Sequence, residues 1–153
     1  MNSPEARVKA LGIELPALSA PAANYTPIVR SGRLAFVSGQ GPIRNGVVVY
    51  KGVIGADLSE EAGYDAARLA VLNALAVLRA ALGTLDAISR VVKLLAWVRS
   101  APGFERQHVV ANGASDLLVD IFGESGRHAR SAVSAPELPF GIAVELELVV
   151  ETN

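Results

Sequence analysis

Cysteine is absent from this sequence, which excludes disulfides, thiolate metal ligands and a cysteine nucleophile. The two histidines, His108 and His128, stand twenty residues apart without the spacing of zinc ligands, so we expect no metal. Lys and Arg form no cluster and the formal net charge is −1, so the electrostatic footprint of a nucleic-acid-binding protein is missing. Neither a membrane-spanning apolar run nor a signal-peptide pattern is evident, and we expect a cytoplasmic protein that does not bind membranes.

Charged residues are also few, 19% of the chain, whereas hydrophobic residues make up 51%. That apolar excess would be explained if part of the surface is buried in an oligomer, because obligate interfaces resemble a domain core. The length suffices for one domain with a sizeable core, and no repeat or linker divides it. We therefore predict a single domain over residues 1–153. Residues 1–23 form an N-terminal extension whose short helix begins at Ser3-Pro4-Glu5.

Apolar periodicity predicts the order strand-strand-strand, helix, strand, helix, strand-strand. Residues 25–29, 34–38, 47–50 and 87–98 read as strands, and residues 60–82 and 104–122 as helices. The helix over residues 60–82 has a capping-box spacing from Asp57 to Glu60, with Ser59 as an alternative N-cap, and Gly83 at its end. Two helices on one face of a mixed six-stranded sheet would give an α+β sandwich.

The last quarter of the chain carries the strongest signal for chemistry. It reads as two short strands, over residues 127–133 and 144–148, joined by a connection that contains Pro139 and Gly141. Arg130 lies among small and apolar residues, where a cation is costly unless an anion meets it. Glu145 lies fifteen residues later in an alternating apolar and acidic run, and an antiparallel pairing of the strands could bring the two together. The alternatives are a structural arginine paired with a sheet glutamate and an outward-facing Glu145.

Ordered motifs along the chain resemble the reactive-intermediate deaminase family, also called Rid or YjgF-like. The resemblance covers residues 25–151 and includes Ser38-Gly39-Gln40 thirteen residues after Tyr25, and the long helix that ends in Ala-Leu-Gly. Its most specific part is Ala129-Arg130-Ser131, then Leu138-Pro139, then Glu145-Leu146-Glu147. It implies a chorismate-mutase-like α+β sandwich and a homotrimer with a cleft at each subunit boundary.

The chemistry that the resemblance implies is hydrolysis of enamines or imines, such as 2-imino acids, to keto acids and ammonia without metal or organic cofactor. Arg130 matches the arginine that binds the substrate carboxylate, and Glu145 matches the residue that activates the attacking water. Tyr25, Ser38 and Gly39 match residues that line the cleft. Ala132 replaces a cysteine found in many members, at a position where the backbone carbonyl is used.

Two further departures leave the substrate open. Many members have an asparagine near the start of the second helix, where this chain has His108 with Asn112 nearby, and we transfer that role to neither. The N-terminal extension could reshape the cleft. Two other functions therefore stand beside the deaminase: a non-catalytic trimeric binder of small carboxylates, and a catabolic deaminase or hydrolase of the same family. The ribonuclease label given to some members agrees least with the near-neutral charge.

Overall fold

The chain folds into a mixed sheet with its main helices on one face, in a computed structural model that describes residues 2–153. The elements are α1 (Pro4–Ala10), β1 (Ile28–Ser31), β2 (Leu34–Gln40), β3 (Ile43–Arg44), β4 (Val47–Val48), α2 (Glu60–Leu82), β5 (Ile88–Arg99), α3 (Gln107–Phe122), β6 (Ala129–Ala135) and β7 (Val144–Thr152). Single-turn 3-10 helices lie at Leu85–Ala87, Gly123–Gly126 and Pro139–Gly141. This is the α+β sandwich that the sequence predicts.

The main sheet has the strand order β1-β2-β7-β5-β6. β7 pairs antiparallel with both β2 and β5, whereas β6 runs parallel to β5 along the edge. Alternate residues of β7 are buried under the helices, namely Val144, Leu146, Leu148 and Val150, and the residues between them face the other side. We call the side without helices the open face of the sheet.

The prediction of six strands in one sheet is wrong in its count, because the main sheet has five. Val47–Val48 pairs only with Ile43–Arg44 and forms a separate two-stranded hairpin. The reason is local: Asn45 and Gly46 both adopt positive φ, which favours a tight hairpin between these two short segments. The strand predicted over residues 47–50 is therefore shorter and lies outside the main sheet.

Helix α2 has the bounds that the sequence predicts. The Ser59 hydroxyl accepts a hydrogen bond from the Ala62 N–H and is the N-cap, whereas Asp57 accepts from the Val53 N–H and belongs to the preceding turn. The capping-box assignment to Asp57 is therefore wrong. Gly83 ends the helix at φ +84°, a conformation that glycine adopts without strain.

Helix α3 begins at Gln107, three residues later than predicted, because residues 101–104 form a turn with a Phe104 N–H to Ala101 carbonyl bond. It continues unbroken through Asn112-Gly113. Gly113 is required by packing, since a Cβ there would collide with the backbone carbonyl of Tyr64 in α2. Within residues 2–153, no helix combines the length and apolar character that crossing a membrane requires.

Candidate active site

Arg130 and Glu145 lie on opposite faces of the sheet. β6 and β7 are not neighbours, because β5 lies between them and pairs Leu94 with Arg130 and Trp97 with Glu145. Arg130 shares the face of the buried Leu94, on the helix side, and Glu145 shares the open face with Trp97. With adjacent strands about 4.8 Å apart, two strand spacings put about 10 Å between the two backbones. An antiparallel pairing that brings these residues together within one chain is therefore wrong.

A cleft of about 600 Å³ lies where β2 ends and β7 begins, and we call it the acidic cleft. It contains four of the six residues that the sequence singles out: Tyr25, Ser38, Gly39 and Glu145. Other parts of its wall come from residues 18–23 of the N-terminal segment, from α2 and from the loop before β7, for example Leu18, Pro21, Asn73, Val77, Phe140 and Ile142. Of the described residues that line it, only Glu145 and Glu147 are charged.

Glu145 is half-buried in this cleft beside Gly39. A Cβ at Gly39 would collide with Glu145 Oε1, so the glycine is what lets the carboxylate lie against the strand. Burial raises the pKa of Glu145, and the negative charge of Glu147 adds to the effect. Both are reasons for the neutral acid to be favoured more than in water. The group is thus able to exchange a proton closer to neutral pH than an ordinary glutamate.

An irregularity in β2 exposes backbone to the acidic cleft. The register with β7 shifts between Val37 and Gln40, so Ser38 and Gly39 leave the regular ladder. The Ser38 hydroxyl donates to the Thr26 carbonyl at 2.7 Å, and the Ser38 N–H donates to the Pro27 carbonyl. These bonds join the cleft wall to the segment that carries Tyr25, whose side chain is 48% exposed.

Arg130 is held by helix α3. Nη1 donates to Asn112 Oδ1 at 2.8 Å and to Ser115 Oγ at 3.0 Å, and Nη2 donates to the His108 carbonyl at 3.0 Å. No carboxylate of residues 2–153 lies within 4.0 Å of the guanidinium. The cation is therefore fixed in place by neutral groups and keeps its charge available for an external anion.

His128 supports this arrangement through Ser115. Its Nδ1 lies 2.6 Å from the Gly126 carbonyl, which can only accept, so Nδ1 carries the proton. The neutral ring then accepts at Nε2 from the Ser115 hydroxyl at 2.9 Å, and Ser115 in turn accepts from Arg130. Burial lowers the pKa of His128; the Gly126 hydrogen bond opposes this, and the Arg130 cation lowers it further. The neutral ring therefore fixes the direction of the Ser115 hydroxyl.

The structure thus divides the predicted site residues into two groups. Tyr25, Ser38, Gly39 and Glu145 share the acidic cleft, and Ala132 lies with Arg130 on the helix side of β6, partly buried against the core. Sequence reasoning missed the roles of two α3 residues, Asn112 and Ser115, and of His128. Asn112 and Ser115 stand three apart, on one face of a helix, and that spacing of polar residues was the available signal.

The sandwich, with two long helices covering one face of a mixed sheet, defines a chorismate-mutase-like fold. Residues 5–151 match the family model described as "YjgF/chorismate_mutase-like, putative endoribonuclease". The chain belongs to this family. The match begins inside α1, so it includes most of residues 1–23, which we predict to be an N-terminal extension.

Several relatives are similar over nearly their whole length. Protein TCP17 of Trypanosoma cruzi is 49% identical over 149 residues, which cover 97% of this chain and 93% of that protein. The crystal structure of Atu1372 from Agrobacterium tumefaciens, a protein of unknown function, is 44% identical with a TM-score of 0.91, over 98% of this chain and 92% of that one. A Shewanella oneidensis structure, named "a putative endoribonuclease", is 39% identical with a TM-score of 0.95, over 98% and 99%.

Proposed function

We propose that this protein hydrolyses small enamines or imines, such as 2-imino acids, to keto acids and ammonia without a metal or organic cofactor. The observation that carries the proposal is that the chain holds two prepared groups: a half-buried carboxyl in the acidic cleft and a fixed arginine without an anionic partner. The reaction needs one group to hold the substrate carboxylate and another to move protons to and from water. These are the roles we assign to Arg130 and Glu145.

Arg130 binds the carboxylate of the substrate. A guanidinium has five N–H donors, and three of them are taken by Asn112, Ser115 and the His108 carbonyl. The Nε–H and one Nη2–H remain, which is the number that a carboxylate accepts in a bidentate contact. Because α3 holds the group, little orientation has to be established when the substrate binds.

Glu145 takes a proton from the attacking water and later returns one to the departing amine. A carboxyl with a raised pKa is suited to both steps, because it gains and loses a proton more nearly at the working pH. Tyr25 and the Ser38-Gly39 backbone line the same cleft, which supports the role we assign to them, holding substrate or water. The gain comes largely from holding water and imine carbon together.

The two groups act together only if a second copy of the chain contributes one of them. Within one chain they lie on opposite faces of the sheet, too far apart for one small imino acid. We therefore propose a homotrimer in which Arg130 of one subunit meets the acidic cleft of the next. The open face supports this, since Phe36 and Val133 are each 43% exposed there, and β6 presents an unpaired edge.

The first test measures loss of a 2-imino acid generated in situ by an amino-acid oxidase, with semicarbazide trapping what remains. Wild type is expected to shorten the lifetime of the imine, and Arg130→Ala and Glu145→Gln are each expected to remain folded and lose this activity. Asp120→Ala is the control, since Asp120 is exposed on α3. A folded wild type that leaves the rate unchanged for every imino acid tried would favour a non-catalytic carboxylate binder.

The second test mixes the two inactive variants after reversible unfolding. In a ring whose sites lie between subunits, one site in four receives an intact Arg130 and an intact Glu145, so about a quarter of the wild-type activity should return. No recovery, in a mixture that forms trimers, would refute the shared site.

Chemistry on RNA is not favoured, because the acidic cleft contains two glutamates and no cation among its described residues.

A further inference from the structure

A second groove lies away from the acidic cleft, beneath the chain that follows α1. Its volume is about 680 Å³, and we call it the N-terminal groove. Residues 11–17 form one wall, helix α2 the second, and the β3–β4 hairpin with its following residues the third. None of its lining residues belongs to the acidic cleft or contacts Arg130.

Arg68 of α2 lines this groove and makes no side-chain hydrogen bond with the described chain. Its Nη1 is buried and has no partner. The other orphaned guanidinium atom, Arg99 Nε, differs, because Arg99 already pairs with Glu137 and donates to the Gly141 carbonyl. A buried N–H of a charged group without an acceptor is strongly unfavourable, so folded proteins supply one.

A second arginine, Arg44, stands on the hairpin at the same groove and is exposed. Glu14 and Asp65 also line the groove, yet no carboxylate of residues 2–153 lies within 4.0 Å of Arg44 or Arg68. Both cations are therefore left without an internal ion pair. Two guanidinium groups at one groove are suited to an oxyanion, which accepts from both in fixed geometry.

Beside its polar and charged groups, which make up most of its surface, the groove also presents aliphatic side chains. Its aliphatic lining residues are Leu11, Ile13, Leu15, Pro16, Ala17, Val49, Leu69 and Leu72. Leu11 and Val49 are exposed although they are hydrophobic, 50% and 44% respectively. We infer that the N-terminal groove binds a small amphipathic oxyanion, an apolar body with a carboxylate or phosphate head. The head contacts Arg68 and Arg44, and the body lies between residues 11–17 and α2.

The test is calorimetric titration of hexanoate and of hexyl phosphate, each compared with hexanol. Titrations are made in Arg130→Ala, so that the carboxylate site of the proposed deaminase does not contribute. Saturable binding of either anion, with hexanol much weaker, is expected, and the tighter anion identifies the head group. Arg68→Met, which keeps an apolar stem, and Arg44→Gln should each weaken binding about tenfold, the effect of losing one charge-assisted contact.

Arg33→Met is the matched control, since Arg33 lies in the exposed β1–β2 turn and its loss should leave binding unchanged. Arg44 is exposed, so Arg44→Gln still tests the inference even if Arg68→Met is poorly folded. Absence of saturation up to about 10 mM, well above a Kd of about 1 mM, would overturn the inference. So would equal binding by Arg44→Gln and Arg33→Met. Neither result bears on imine hydrolysis, which the inference does not require.

Discussion

Asn112→Ala removes one of the three groups that hold Arg130. The amide oxygen accepts from Arg130 Nη1 at 2.8 Å, and Ser115 and the His108 carbonyl remain after the change. Nη1 keeps one hydrogen bond and gains a free donor, and the guanidinium can rotate away from its productive orientation. The substitution therefore tests whether Arg130 must be fixed, as distinct from merely present.

The expected effect on folding is small because two contributions oppose each other. A hydrogen bond to a charged group contributes about 1.5–3 kcal/mol when fully buried, and Arg130 is only partly buried, so about 1 kcal/mol is lost. Alanine gains about 0.5 kcal/mol over asparagine in a helix interior. The unfolding free energy should fall by no more than about 1 kcal/mol, whereas looser carboxylate binding should raise KM five- to tenfold, or about 1–1.4 kcal/mol.

The assay is steady-state imine hydrolysis, with urea unfolding of the same preparations and Asp120→Ala as the control on the same helix. KM should rise with kcat changed less than twofold. A KM within twofold of wild type in a folded variant would refute the idea that Asn112 positions Arg130. A raised KM accompanied by a fall of several kcal/mol in the unfolding free energy would show a structural role in its place.

The structure predicts the direction in which four further substitutions change folding stability. Gly39→Ala should lower the unfolding free energy by only about 0.5–1.5 kcal/mol, because the collision is with the end of the Glu145 side chain, which can turn aside, and Glu145→Ala in the same chain should remove that cost. Because the pKa of Glu145 is raised, the unfolding free energy of wild type should fall as pH rises from the unfolded pKa of about 4.3 through the pKa of the folded protein. Glu145→Gln lacks this loss, so its urea midpoint relative to that of wild type should increase between pH 4 and pH 7. The lowered pKa of His128 means that wild-type stability falls as pH drops below about 6.5, a slope that thermal melts of His128→Gln should lack. Gly113→Ala should cost about 1–3 kcal/mol or more by denaturant unfolding, because its methyl group meets the Tyr64 carbonyl, and unchanged stability would contradict that packing.

The sequence predicts the elements whose signals are local. Helix α2 matches its predicted bounds because Ser59 and Gly83 act on their own ends of the helix. The strand at Leu34 and the final strand at Val144 begin at the predicted residues, since alternation of apolar residues marks the buried face.

The pairing of strands depends on contacts between residues far apart in sequence, and no local pattern in the sequence predicts those contacts. Nothing near Arg130 or Glu145 indicates that β5 separates them, so the faces of the two side chains could not be assigned. The partners of Arg130 on α3 are remote in the same sense, eighteen and fifteen residues earlier in the chain. Only the fold brings them together.

The position of β7 has a consequence for how the chain is made. β7 is the last strand in sequence, yet it lies between β2 and β5 and pairs with both. While a ribosome is still adding residues 144–152, β2 and β5 have been synthesised without the strand that joins them. Until β7 has emerged, β2 and β5 therefore each lack a neighbour along one edge, and closure of the sheet waits for this strand.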